Sequence, residues 1–80
     1  MPTVFRAGGF RFFFYSNEGD PREPVHIHVE RGDAEAKFWI SPVVRIAHND
    51  GFNARPLREV AGLIEANQER IEEAWDGHFG

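Results

Sequence analysis

Hydrophobic residues recur with a period of two through the first half of the chain and with a helical period through the last third. Thr3–Tyr15 (TVFRAGGFRFFFY) places Gly8-Gly9 between β-branched and aromatic runs, the pattern of a hairpin with a two-residue turn. Such a turn predicts Phe5 opposite Phe12 and Thr3 opposite Phe14, with Ala7 and Phe10 on the same face. The other face then carries Val4, Phe13, Tyr15 and the directly opposed pair Arg6/Arg11. These two cations repel unless an anion or an acid lies between them. Ser16–Pro24 (SNEGDPREP) has the composition of a loop.

Val25–Glu30 reads as a second strand run, with Val25, Ile27 and Val29 on one side and His26, His28 and Glu30 on the other. A turn at Gly32-Asp33 pairs Val29 with Ala36, Ile27 with Phe38 and Val25 with Ile40, an entirely apolar face. The reverse face pairs Glu30 with Glu35, His28 with Lys37 and His26 with Trp39. Ser41-Pro42 ends that strand, and Val43–Ala47 fits either a short fifth strand or an extended crossing. His48–Asn53 (HNDGFN) reads as a turn with Gly51 at positive φ.

From Asn53 onward Leu57, Val60, Ala61, Ile64, Ile71, Ala74 and Trp75 follow i, i+3, i+4, i+7 spacing. Asn53 suits an N-cap, Pro56 is tolerated in the first turn, and Gly77 suits the stop. The spacing predicts one helix of roughly 22 residues, about 33 Å long, with Asn67 and Gln68 interrupting its stripe at the helix–sheet edge. The expected fold class is α+β over residues 1–80: an antiparallel meander of four to five strands packed on one long C-terminal helix. A single helix covers one sheet face. The opposite face is expected to display Arg6, Arg11, Phe13, Tyr15, His26, His28, Lys37 and Trp39.

Composition narrows the reading. Eighty residues with no cysteine exclude disulfides and thiolate metal sites. A chain this short is marginal alone, but eight Phe and two Trp supply an aromatic core, and self-association or a partner supplies the rest. The net charge of −4 argues against a general nucleic-acid binder. The charge is uneven: Glu59, Glu65, Glu69, Glu72, Glu73 and Asp76 face only Arg70 near the C-terminus, whereas Lys37, Arg45, Arg55 and Arg58 face only Asp50. No apolar run reaches transmembrane length and the start lacks a signal peptide's apolar stretch, so a soluble, cytoplasmic protein with no membrane contact is expected.

The pair His26 and His28 on one strand face admits three chemistries. As metal ligands, about 7 Å apart at Cα, they need a third donor, for which Glu30 leads and Glu35, Glu23, His48 or His78 follow; zinc is the metal such a set suits. As acid and base they cleave a phosphodiester, with Lys37, Arg6 and Arg11 holding phosphate and Phe13, Tyr15 and Trp39 stacking bases of RNA. As interface residues they pack with Phe13, Tyr15 and Trp39, and the arginines anchor a protein partner or a second copy in a homodimer. The third reading asks least of the residues and is preferred.

The stretches RFFFYSNE, PVHIHV and AKFW, followed by a GF pair and an acidic helix ending in AWDGHFG, give the whole chain a resemblance to a bacterial family, the domain of unknown function numbered 4160. The chain departs from the usual Pro-Pro-His of that family at Pro24-Val25-His26. The resemblance implies no agreed activity. It does imply a cognate small protein from the same operon, because genes of the family often neighbour a second small family in what looks like a toxin–antitoxin module. A weaker similarity, to histidine-triad nucleotide hydrolases, fails at Glu30, where the third histidine belongs.

Overall fold

Both glycine turns form, and they set the register of the sheet. The computed structural model describes residues 3–16 and 23–79, so the centre of the Ser16–Pro24 loop lies outside the described residues. Strands β1 (Thr3–Ala7) and β2 (Phe10–Phe13) join through Gly8 and Gly9, at φ +60° and +82°, as a turn with two left-handed central residues requires. Strands β3 (His26–Arg31) and β4 (Ala34–Trp39) join through Gly32, at φ +60°, and Asp33. Strand β5 (Arg45–Asp50) completes a five-stranded antiparallel meander in the order β1-β2-β3-β4-β5.

Across β3 and β4 every pair the alternation predicts is present, from His26 opposite Trp39 to Glu30 opposite Glu35, and the Ile40 amide donates to the Val25 carbonyl at 2.9 Å. The first hairpin pairs Phe5 with Phe12 and Arg6 with Arg11 as expected, but Thr3 lies opposite Phe13 rather than Phe14. An irregularity between Thr3 and Phe5 shifts the register by one residue. It turns the Thr3 hydroxyl to Arg11, whose Nε donates to it at 2.9 Å, and leaves Val4 packed on the core instead of on the outer face.

The fifth strand is longer and later than Val43–Ala47. His48, Asn49 and Asp50, expected in a turn, pair with Lys37, Ala36 and Glu35. A bulge between the Lys37 and Phe38 pairings accommodates Ala47 and restores the parity, so Ile46 lies opposite Phe38. The chain then turns at Gly51, φ +101°, where the Asn49 side chain accepts from the Phe52 amide and donates to the Phe52 carbonyl.

The long helix is two. Helix α1 spans Ala54–Ala66 and α2 spans Gln68–Phe79, broken at Asn67. The Asn67 side chain donates to the Leu63 carbonyl at 2.8 Å, supplying a local bond that competes with continuation of the helix. Gln68 Nε2 lies 3.5 Å from the Ile40 carbonyl, at the sheet margin. Asn53 holds the N-cap position in an extended conformation without a side-chain cap bond, and Gly77 lies inside α2 rather than ending it. Val60, Ile64, Ile71 and Trp75 close one sheet face over Phe5, Phe10, Phe12, Phe14, Ile27, Val29, Ala36, Phe38 and Ile40. Burial of this aromatic and aliphatic set is the principal stabilising term.

Candidate functional site

The second sheet face carries no helix among the described residues, yet it is not an open aromatic surface. Phe13 and His26 are completely buried and His28 is 7% exposed, against the expected display of all three. Among the described residues, several contacts cover them. The Arg11 guanidinium lies 4.4 Å over the Phe13 ring, and Tyr15 and His28 flank that ring at 5.2 and 5.6 Å. Trp75 of α2 lies 4.9 Å from the His26 ring, which also meets Trp39 at 5.5 Å.

His26 Nδ1 is 3.0 Å from the Pro24 carbonyl oxygen. A carbonyl only accepts, so that nitrogen carries a proton. Buried between two indoles and held by the backbone, His26 is placed as a packing residue. His28 is placed differently. Its Nδ1 lies 3.8 Å from Glu35 Oε2, the oxygen that also accepts from the Tyr15 hydroxyl at 2.8 Å.

His28, Glu35, Ala36, Lys37, His48 and Asp50 line a cleft of about 280 Å³. The register puts His28, Lys37 and His48 in one line across three neighbouring strands. Lys37 Nζ sits 4.4 Å over the Trp39 ring and 3.4 Å from Glu23 Oε1. Sequence reasoning placed His48 in a turn and so missed it as the neighbour of Lys37. The bulge at Ala47 hides the alternation that identifies it.

Among the described residues His26, His28 and Glu30 do not form a three-donor group. Glu30 Oε1 accepts from Arg11 Nη1 at 2.8 Å, His26 Nδ1 is bonded to backbone, and among the described residues no group of three His, Asp or Glu side chains is placed to hold an ion. His78 stacks on Phe14 at 6.2 Å, and Glu23 meets Lys37. Arg6 is exposed on the face beside Arg11, and the ion pair from Arg11 to Glu30 offsets only part of the repulsion the opposed arginines predict.

At the β5 margin every residue is exposed, and Val43 and Ile46 are 59% and 46% exposed. The helices close the sheet over β1 to β4 and leave this flank bare. Among the described residues no helix is long and apolar enough to cross a membrane.

The molecule is thus a small α+β protein with one helix-covered sheet face and one face built of buried aromatics under a charged, half-exposed layer. Residues 9–76 match the family model described as Domain of unknown function (DUF4160), and the chain belongs to that family. No curated protein and no solved structure matches it.

Proposed function

We propose that the protein is a protein-binding module whose contact surface is the helix-free sheet face together with the adjoining β5 margin. The observation that carries this reading is the outer layer itself. Tyr15 and Trp39 remain half-buried in the isolated chain, capped by cations and carboxylates on rigid strands, beside the exposed Val43 and Ile46. Aromatic rings with basic neighbours, preorganised on a sheet, are what interface hot spots consist of. A fully exposed edge strand beside them offers unpaired backbone groups to the same partner. The occupant under this reading is a small protein encoded beside this one in a two-gene module of toxin–antitoxin type, or a second copy of the chain. The test is affinity capture from the source cells with wild-type and Trp39→Ala baits: a protein retained by the first and lost from the second supports the reading, and equal retention by both removes the face from it.

One observation favours a second reading, a ribonuclease. The line His28–Lys37–His48 offers two imidazoles flanking an ammonium. One imidazole takes the proton of a 2′-hydroxyl whose oxygen attacks phosphorus, the other protonates the departing 5′-oxygen, and Lys37 offsets the charge that develops. This differs from the sequence expectation in replacing the buried His26 by His48. Glu35 and Asp50 in the same cleft oppose a polyanion, which is why binding of protein is preferred. Cleavage of RNA that disappears in His48→Ala but persists in His26→Ala would support the second reading.

A further inference from the structure

One row of charged side chains crosses the helix-free face from edge to edge. Arg6 lies opposite Arg11, Arg11 opposite Glu30, Glu30 opposite Glu35, and Glu35 opposite Asp50. Like charges directly opposite one another on a sheet repel. This row contains three such contacts and one attractive one, so it is costly to the isolated chain. Arg11 and Glu30 satisfy each other at 2.8 Å. Glu35 Oε2 accepts from the Tyr15 hydroxyl at 2.8 Å and lies 3.8 Å from His28 Nδ1. Neither Arg6 nor Asp50 makes an ion pair among the described residues. The row is therefore positive at the β1 margin and negative at the β5 margin, about 19 Å away over four strand spacings. Arg45 does not cancel this, because it sits at the far end of β5, about 16 Å along the strand from Asp50.

A row of this kind is its own complement when reversed. A two-fold axis lying in the plane of the face, parallel to the strands, performs that reversal and sets β1 of one copy over β5 of the other. We propose that the helix-free face docks a second copy of this chain face to face, with Arg6 over Asp50 of the second copy and the contact made twice. The proposal rests on the reading of this face as a protein-binding surface and names its occupant. A patch of one sign would repel its own image; this patch attracts it. The same operation exchanges the β2 and β4 sides, bringing the half-buried Tyr15, which follows β2, toward Trp39 of the second copy, on β4. Glu30 falls on the axis already neutralised by Arg11. The face is about 24 Å wide and about 17 Å long, roughly 400 Å² per copy, below the standard size of a specific interface, so the dimer is weak and concentration-dependent.

Sedimentation equilibrium of wild type, Arg6→Glu, Asp50→Arg and the double variant Arg6→Glu/Asp50→Arg tests this. Both positions are exposed, and circular dichroism verifies that each variant is folded. The wild type is expected to dimerise, more weakly as salt rises. Each single reversal is expected to weaken dimerisation roughly tenfold or more, and the swapped double variant to regain it. A monomeric wild type, single variants that dimerise like wild type, or a double variant that does not recover overturns the proposal. A monomeric wild type that still captures another protein through Trp39 overturns the self-docking alone. A dimer indifferent to both the reversals and Trp39→Ala, with no protein captured through Trp39, overturns the binding reading as well.

Discussion

The indole of Trp75 and the imidazole of His26 meet with ring centroids 4.9 Å apart and planes 63° from parallel, although one belongs to the helix layer and the other to the helix-free face. This contact packs His26 against the helix layer. An eighty-residue domain has on the order of 4–12 kcal/mol of stability. Trp75→Ala is expected to remove about 3–5 kcal/mol of it, and His26→Ala about 1–3 kcal/mol. His48→Ala, at an exposed position, should leave the transition nearly unmoved. Urea unfolding midpoints at constant m-value check the order Trp75, His26, His48.

The glycines at the turns differ in what they tolerate. Gly8 sits at φ +60°, and an added Cβ would meet only side-chain tips of Phe10 and Leu63 at 3.4–3.5 Å. Gly51 sits at φ +101°, where an added Cβ would approach Ala34 Cα and Cβ at 3.3 Å. Gly8→Asn should therefore be mild, because Asn visits the left-handed region. Gly51→Ala combines backbone strain with a rigid neighbour and should cost about 1–3 kcal/mol. Thermal midpoints of the two variants, compared under one buffer, decide it; a milder effect at Gly51 would contradict the packing described.

Arg11 serves two neighbours at once, donating to Glu30 at 2.8 Å and covering Phe13 at 4.4 Å. The side chain of Glu30 is 38% exposed, so water and salt weaken the ion pair. A double-mutant cycle on Arg11→Ala and Glu30→Ala is expected to give a coupling of about 0.5–1 kcal/mol, falling at high salt. The loss at Arg11 alone should exceed that coupling, since the contact with Phe13 goes too. Equal values would assign the whole effect to the ion pair.

The sheet was legible in the sequence wherever alternation was undisturbed. The β3–β4 pairs follow from the parity of Val25–Glu30 and Ala34–Ile40 alone, and the glycine pair located the first hairpin. Two bulges broke the parity argument, one beside Val4 and one at Ala47, and each misplaced its strand end. A bulge costs one residue of spacing and has no composition of its own. The helix stripe named Val60, Ile64, Ile71 and Trp75 as buried, while the break at Asn67 depended on a side-chain bond to Leu63 that spacing cannot express. The candidate site suffered most. Facing direction was read correctly for His26, His28, Lys37 and Trp39, but direction is not exposure. Whether Phe13 and His26 are covered depends on where Arg11 and Trp75 reach, which is a tertiary fact.

If the cleft cleaves RNA, His28→Ala and His48→Ala should each lower the rate by ~10²–10⁴-fold with little change in substrate affinity. Under the preferred reading purified wild type has no such activity. Initial rates on a defined oligoribonucleotide measure this, with His26→Ala, corrected for its folded fraction, as the variant that keeps the cleft intact.

Titration calorimetry of the captured partner, or dilution calorimetry of the chain itself, against Trp39→Ala tests the binding face most directly. Trp39, at the end of β4, is half-buried under Lys37, and its truncation is expected to cost about 2 kcal/mol, roughly 30-fold in affinity. Glu65→Ala, on the exposed helix surface, should leave affinity within about twofold. Binding unchanged by Trp39→Ala and lost in Glu65→Ala would contradict the account, because the contact would then lie on the helices and not on the open face.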